Sequence, residues 1–587
     1  MCTRYQPDQS DCERSFLFSD RFTPSGPALI AFKAARGSLP ADCETYAGAR
    51  SALGLSILTG ISPLTGFLCE MVLAWRFGAS AITDGYRVAY LLVGFAWMVF
   101  ISQVLPNVVV PIHAEFRAKG RETDAWRVSF AIANLTLLFT ASVSLAIFLW
   151  PGRLAQLLGP GLQGQARASE LLLVRWFAIS YLPLTWSGIA IGILYTQGIF
   201  WVATVASSLG NLLMLAFVGI MGSHWGVWSL IAGTLGGSLV TLVMCATSLV
   251  PLMRRVGARC LLTLYPRNVS LLPALALVVP LAISAVVAQL CGVITSRVLS
   301  PLPVGTVAIY GYAWKMGILA TMLPLSLSTV LFPRFAQAWH SASPTAFPSV
   351  CVRALRTTLF LAVPVAGILY ILRTPIVSLM FQRGAFSSGA VNRVSVLFGY
   401  MMLLGGVPSA LIACTQKILC ATRTMRVSTY GQISGLALLV VGAKTAAAHY
   451  GAVGVLVLYM ANIWLSLGVM FFVLSNTIRS VHLLSFGFFG MQLLVALGGA
   501  IIFEHFVNPF VALSAAGQVT GLLVLCFRAG LIASGFAAIA WLIRLPEAIE
   551  GFNFLNWQIQ ALVRGIMKHQ AKIRKEGAVS GEPRQTP

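Results

Sequence analysis

Runs of about twenty apolar residues recur along nearly the whole chain and constrain its fold more than any other feature. Such a run crosses a bilayer as a helix, because a helix satisfies its own backbone hydrogen bonds. Fourteen runs qualify, at about 52–75, 88–112, 127–150, 170–194, 200–222, 226–252, 270–293, 304–332, 353–373, 394–416, 426–448, 452–476, 484–506 and 518–543. Strand-like alternation is absent from the sequence. The sequence therefore predicts an all-α integral membrane protein with about 14 transmembrane helices.

The distribution of charge predicts how these helices are oriented. Charged residues make up only 10% of the chain, and the 40 Lys+Arg and 17 Asp+Glu leave a net charge of +23. In a soluble protein that excess would suggest nucleic acid, but here membrane topology accounts for it. The basic clusters follow even-numbered spans, at 117–127, 254–267, 334–356, 417–426 and 568–575. The positive-inside rule then predicts a multi-pass protein with both termini in the cytoplasm. The segment after the ninth span fits less well, since it holds Arg373, Arg383 and Arg393.

The sequence also contains an internal repeat. "YRVAYLLVGFAWMVFISQVLPNVVVPIHAEF" resembles "YGYAWKMGILATMLPLSLSTVLFPRFAQAW", and "WPGRLAQLLGPG" resembles "RTPIVSLMFQRG". The offset is nearly constant, at 224 from Ala89 to Ala313 and 225 from Gly159 to Gly384. Six spans separate the copies, and an even number keeps their orientation, so the repeats are predicted to be parallel.

The repeat predicts a domain organisation with two extra helices. It comprises a cytoplasmic tail (1–48), an N-terminal six-helix half (49–258), a C-terminal six-helix half (259–480), two additional transmembrane helices (481–545) and a basic cytoplasmic tail (546–587). Transporters built from such repeats bind substrate between the halves and rock one half against the other.

Ionisable residues near or inside the spans are the candidate binding residues, because a central charge costs about 2.5–3.5 kcal/mol and normally faces a partner or a cavity. Glu70, Arg87 and Lys315 are predicted to give a net-cationic lining to a central cavity. Such a lining suits an anionic headgroup such as a diphosphate. Arg76 and Asp84 are included, with Asp84 expected to pair Arg76 or Arg87 and to cap the second span. The alternative for Arg76 and Asp84 is a salt-bridged turn at the interface.

Two further charges lie in the last two spans. Glu504 and Arg528 either face each other, in a possible groove for a lipid, or extend to the interface.

The residues give no support for a metal site, a cofactor or catalysis. The eleven cysteines form no CxxC pair, the sequence has no DxD motif, and the seven histidines are scattered. A membrane glycosyltransferase would need paired carboxylates or a metal site. The expectation is a protein without catalytic residues, metal ligands or cofactors.

The stretches that carry these charges resemble a known family. "WRFGASAITDGYRVAYLL…LPNVVVPIHAEFRAKG" and "LMFQRGAFSSGAVNRVSVLFGYMMLLGGVPSALIACTQKILCATRTMRVST" are similar to the MurJ/MviN lipid II flippase family, within the superfamily of multidrug and oligosaccharidyl-lipid exporters. The resemblance covers roughly residues 50–545. It implies an alternating-access flippase of the bacterial cytoplasmic (inner) membrane, with a headgroup cavity between the halves and a groove for the lipid tail along the last two spans. The aspartate of the family's "TDG" turn matches Asp84.

The chain departs from the family where that family carries cavity arginines. Those positions read Pro63, Cys69, Trp97 and Trp314 here, and an acidic position in the eighth span reads Gly317. Arg87 and Lys315 are the residues expected to compensate.

The function expected from these features is flipping of a lipid II-like peptidoglycan precursor. The expected partners are a polyprenyl-diphosphate-linked glycan lipid, membrane lipids and a coupling ion, and not nucleic acid. The alternatives are a flippase for another polyprenyl-linked glycan and a cation-coupled drug or small-molecule exporter. A cation-coupled exporter would favour intramembrane carboxylates, for which Glu70 and Glu504 are the candidates.

Overall fold

The structure is a computed structural model. The residues from Ser62 onward form one compact unit. The structure describes residues 61–103, 105–257, 272–318, 335, 338–339, 346–422, 424, 426–477, 483–511 and 518–549. The predicted N-terminal tail and the first residues of the first predicted span lie outside these ranges. So does all but 546–549 of the predicted C-terminal tail.

Helices occupy the described part of every predicted span. In chain order they are α1 (61–77), α2 (Ala81–Ala118), α3 (Glu122–Leu149), α4 (Pro151–Leu158), α5 (Gly164–Thr196), α6 (Trp201–Trp225), α7 (Val227–Val256), α8 (Leu272–Leu299), α9 (306–318), α10 (Ala346–Ile371), α11 (Arg373–Phe381), α12 (Ser388–Ala421), α13 (Arg426–Thr477), α14 (Leu483–Val511) and α15 (Gln518–Leu542). Within the described ranges, 10 helices are long and apolar enough to cross a membrane. The predicted all-α membrane class is confirmed, and the count of fourteen spans stays a prediction.

Helix α13 contains two of the predicted spans in one continuous element. Its 52 residues would extend far beyond a hydrocarbon core of about 30 Å if they formed one straight helix. Gly451 interrupts it with φ 58° and ψ −142°, a conformation that is open to glycine because it has no Cβ. The break lies between the predicted spans 426–448 and 452–476.

Small residues allow the helices of the N-terminal part to approach closely. Gly210 of α6 faces Gly237 of α7, where an added Cβ would lie 3.1 Å from the opposite carbonyl oxygen. A π-helical turn at Trp97–Gln103 brings the Phe100 carbonyl of α2 against Gly188 of α5, which leaves no room for a side chain there. Close backbone approach through small residues is typical of helix packing in membranes.

The last two helices pack against each other and against α10 and α11. An ion pair joins them, because Arg528 Nε donates to Glu504 Oε1 at 2.7 Å. Glu504 is buried, and a buried carboxylate needs such a partner. Of the two alternatives that the sequence left open, Glu504 and Arg528 adopt the one in which they face each other, whereas their role in a lipid groove stays a prediction.

Candidate functional site: a polar cavity and a closed seam

A cavity of about 380 Å³ lies among the helices of the N-terminal part and is bordered by α9. Apolar groups make up most of its wall, and its polar part is formed largely by hydroxyl and amide side chains, among them Ser62, Ser180, Ser207, Asn211, Thr234, Ser238 and Thr241. Asn211 Nδ2 donates to the Thr65 hydroxyl at 3.2 Å, and the hydroxyls of Ser62 and Ser207 lie 2.6 Å apart. The wall is therefore suited to hydrogen bonding with an uncharged polar group.

The sequence reasoning missed this polar wall because it followed charges only. A signal was present in the spacing of the residues. Ser207 and Asn211 are four residues apart on α6, and Thr234, Ser238 and Thr241 are four and three apart on α7. That spacing places each set on one face of its helix.

Three predicted binding residues meet at one side of the cavity. Glu70 of α1 is buried and forms a bidentate ion pair with Arg87 of α2. Arg87 Nη1 donates to Glu70 Oε1 at 3.0 Å, and Arg87 Nη2 donates to Glu70 Oε2. Lys315 of α9 places its Nζ 3.7 Å from Glu70 Oε1. One carboxylate and two cations leave a net positive charge, as predicted. Glu70 and Lys315 are lining residues of the cavity.

Arg87 is buried behind the cavity wall, where Glu70 and an aromatic ring hold its guanidinium. Its guanidinium lies over the Tyr312 ring at 4.6 Å. A Cβ at Gly311 would come within 2.7 Å of Arg87 Nε, so a side chain at that position would displace the arginine. Lys315, with a side chain that is 38% exposed, is the more accessible of the two cations.

Asp84 does not pair with either arginine, and this corrects the sequence prediction. Its Oδ2 accepts from Gly305 N at 2.5 Å and its Oδ1 accepts from Ala308 N at 2.8 Å. Asp84 thus caps the N-terminus of α9, where unpaired amides and the helix dipole favour a carboxylate. The cap of its own helix is Ser80, whose side chain accepts from Thr83 N at 3.4 Å.

Arg76 lies outside the cavity lining and holds a helix carbonyl instead. Its Nε and Nη2 donate to Gly219 O at 3.0 and 2.6 Å, within the π-helical turn Phe217–Met221 of α6. The guanidinium also lies over the Trp75 ring at 4.2 Å. Arg76 therefore joins the end of α1 to α6, and its sequence-based assignment to the cavity has no support in this arrangement.

The turns that follow the spans meet in a tightly closed seam, defined here as residues 75–84, 159–161, 300–308 and 384–385. Ala385 N donates to Trp75 O at 2.9 Å, and Gly161 N donates to Ser300 Oγ at 3.0 Å. These two bonds are related by the repeat, because Ala385 follows Gly161 by 224 residues and Ser300 follows Trp75 by 225. The seam thus has an amide donor at equivalent positions of both copies of the repeat, with a carbonyl acceptor in one bond and a hydroxyl acceptor in the other.

Glycine makes the seam possible because backbones meet there without side chains between them. Gly305 has φ +89°, and a Cβ on it would lie 2.6 Å from Ala79 O. Gly78 and Gly384 also have positive φ and lie against the backbones of Ala385 and Trp75. The Tyr312 hydroxyl donates to Gly78 O at 3.2 Å. Because the Tyr312 ring also covers Arg87, this residue connects the seam to the ion pair.

The positions where the family resemblance expects arginines are close to the cavity but carry no charge. Pro63, Cys69 and Trp97 line the cavity. Cys69 Sγ donates to Asn211 O at 2.9 Å, and Trp314 packs edge-on against Tyr459 with ring centroids 4.8 Å apart. Gly317 lies against the side chain of Met401. The cation density of this wall is therefore lower than the resemblance implies.

Comparisons with known proteins place this arrangement in a family. The family model described as "Lipid II flippase MurJ" matches residues 73–523. The lipid II flippase MurJ of Burkholderia cenocepacia is 28% identical over 362 residues, which cover 59% of this chain and 68% of that protein. The probable lipid II flippase MurJ of Aquifex aeolicus is 25% identical over 344 residues, covering 58% of this chain and 65% of that protein.

A solved structure shares the fold. It is titled "Lipid II flippase MurJ, inward closed conformation", and it aligns with a TM-score of 0.69 at 19% identity over 84% of this chain and 100% of that chain. The family model covers well over half of the sequence, including α2 with Arg87, the cavity helices α5–α7 and α9 with Lys315. The chain belongs to the family of the lipid II flippase MurJ.

Proposed function

We propose that the chain is a flippase that carries lipid II, a polyprenyl-diphosphate-linked glycan, across the bacterial inner membrane by alternating access. The observation that supports this most directly is the cluster of Glu70, Arg87 and Lys315 at the wall of a hydroxyl-rich cavity in a member of this family. A diphosphate cannot cross bare hydrocarbon, because its charges would lose their water without compensation. Lys315 supplies a cation for the diphosphate, and the hydroxyl and amide wall supplies partners for the sugar.

The contacts of Glu70 favour an exchange of partners during transport. In this state Glu70 neutralises Arg87 through two hydrogen bonds and Lys315 through a longer contact of 3.7 Å. An incoming phosphate competes for the weaker of the two contacts, so Lys315 turns to the substrate while the Glu70–Arg87 pair stays intact. Charge-assisted hydrogen bonds of this kind are among the strongest that a cavity offers.

The closed seam fits one end state of an alternating-access cycle. With both termini in the cytoplasm, the turns of the seam lie on the outer side of the membrane, and the structure corresponds to a state closed to the outside. The two repeat-related halves then separate at the seam when the substrate is released. No covalent step is required, so the protein acts as a transporter and not as an enzyme.

The contacts of the carboxylates weigh against a cation-coupled exporter. Such a protein uses a carboxylate inside the membrane to bind a proton or a metal cation. Glu70 is engaged by Arg87 and Lys315, and Glu504 is engaged by Arg528. A carboxylate whose charge is already offset by cationic side chains is a poor site for a further cation.

Complementation tests the proposed cargo. The chain is expressed in a strain depleted of its own lipid II flippase, and the exposure of lipid II at the outer leaflet is measured. We expect growth and headgroup exposure to be restored. Failure to restore either, with normal insertion of the protein, would contradict lipid II as the cargo and favour another polyprenyl-linked glycan. The uncharged residues Pro63, Cys69 and Trp97, at positions where the family carries arginines, would then account for the changed cargo.

A further inference from the structure

A second concave site lies away from the cavity, where α3 ends and α4 begins. Its volume is about 580 Å³, and its lining residues are Leu149, Trp150, Pro151, Gly152, Arg153, Ala168, Leu171, Leu172 and Arg175. The lining combines an apolar floor with two arginines, and we refer to it as the Arg153 groove. None of these residues belongs to the proposed transport cavity.

The arginines of the groove are available to an external anion. Both side chains belong to exposed residues, and in the described part of the chain neither lies within 4.0 Å of a carboxylate. Glu170, the acidic residue on the same helix as Arg175, is already engaged by Arg167 at 2.7 Å. Arg175 contacts an aromatic ring, with its guanidinium 5.9 Å from the Phe148 centroid. The groove therefore carries two positive charges without an internal counter-charge.

Aromatic residues surround the groove in a pattern that is typical of a membrane–water interface. Trp150 at its rim is 63% exposed. Phe148 packs on Trp176, and Trp176 packs on Trp228, with centroid distances of 5.8 and 5.7 Å. Exposed indoles at one level of a helical bundle mark the depth of the lipid headgroups.

An apolar stripe continues from the groove along α3. Leu138 and Leu145 are 56% and 58% exposed, and they precede Leu149 by eleven and four residues, a spacing that keeps them on its face of the helix. In the apolar segment of α3 only 22% of the residues are buried by other parts of the protein. This face therefore offers a path for acyl chains that begins at the arginines.

We propose that the Arg153 groove binds an anionic glycerophospholipid such as phosphatidylglycerol. The headgroup phosphate lies between Arg153 and Arg175, and the acyl chains follow Leu149, Leu145 and Leu138. The two cations select a lipid with net negative charge over a zwitterionic one, because the zwitterionic headgroup brings its own cation into the groove.

Native mass spectrometry of the full-length protein tests the proposal. The protein is released from bilayers of phosphatidylcholine and phosphatidylglycerol, and the lipids that it retains are counted. We expect phosphatidylglycerol to be retained in preference. R153Q should lower its apparent affinity about five-fold, and R153Q/R175Q about thirty-fold, from the contribution of one arginine near an anionic headgroup. Retention of phosphatidylcholine should not change.

The matched control is R393Q. Arg393 is an exposed arginine at the start of α12 and does not line the Arg153 groove. Equal retention of both lipids by the wild type, or unchanged retention in R153Q/R175Q, would overturn the proposal. Displacement of phosphatidylglycerol by an equimolar polyprenyl diphosphate would also overturn it, because the groove would then take the transported lipid. If the double variant fails to insert, R153Q alone is judged by the same criterion.

Discussion

Lys315 and Arg87 share one carboxylate, yet their surroundings assign them different tasks. The Arg87 side chain is 8% exposed and is held by Glu70 and Tyr312, whereas the Lys315 side chain is 38% exposed and touches Glu70 at 3.7 Å. Removal of a buried cation is costly, because the carboxylate that it neutralised stays buried without water. Removal of a more exposed cation costs little, because water takes its place beside the carboxylate. At the scale of single residues, burial separates the cation that organises the wall from the cation that meets the substrate.

Substitution of each cation should therefore give different results. K315Q is expected to change the free energy of unfolding by less than about 1 kcal/mol and to lower transport about tenfold or more, since one charge-assisted hydrogen bond to the substrate is lost. R87Q is expected to destabilise the protein by about 3–5 kcal/mol as well as to impair transport. Thermal unfolding of the purified protein and lipid II exposure in cells separate the two effects.

The double variant K315Q/R87Q provides the strictest test of the cationic cavity. Full transport by this variant would show that the cavity does not need positive charge. A stability loss in K315Q as large as that in R87Q would contradict the assignment of Lys315 to the substrate side.

At the scale of elements, the seam depends on a helix cap that the sequence alone did not reveal. Asp84 lies in the first turn of α2 but accepts two amide hydrogen bonds from the start of α9, across 221 and 224 residues of sequence. Gly305 has to be a glycine there, because it has a positive φ and approaches Ala79 O. The cap and the glycine together hold α9, and therefore Lys315, against the N-terminal helices.

A side chain at Gly305 should open the seam. G305A is expected to shift the protein toward the outward-open state, because an alanine Cβ would clash with Ala79 O. Spin labels on two exposed positions, Gln163 next to seam residues 159–161 and Val304 within seam residues 300–308, would report the shift as a longer distance. The control is G120A, since Gly120 also has a positive φ but has no atom within 4 Å of an added Cβ. An unchanged distance in G305A would show that the seam does not control the opening.

At the scale of the whole molecule, the repeat and the charge pattern predict a topology. The seam contacts Ala385–Trp75 and Gly161–Ser300 obey the offset of the repeat, which supports two parallel halves. The basic cluster at 117–127 predicts that the turn between α2 and α3 faces the cytoplasm, and the turn between α4 and α5 then faces outward.

Labelling of single cysteines in intact cells tests this orientation. Gly120 and Gln163 are exposed in turns at opposite ends of the helices. A cysteine at Gln163 is expected to react with a membrane-impermeant maleimide in intact cells, and a cysteine at Gly120 only after permeabilisation. The reverse pattern would contradict the proposed orientation and would place the closed seam on the cytoplasmic side.

The sequence by itself determined the membrane-spanning helices and the internal repeat, and it picked out Glu70 and Lys315, which border the cavity. These features follow from local composition and spacing, because a bilayer requires apolar helices and admits few charges. Only the tertiary structure decided which groups those charges meet. Asp84 and Arg76 each bind backbone atoms on distant helices, and backbone groups are the same at every position, so no sequence pattern marks them as partners.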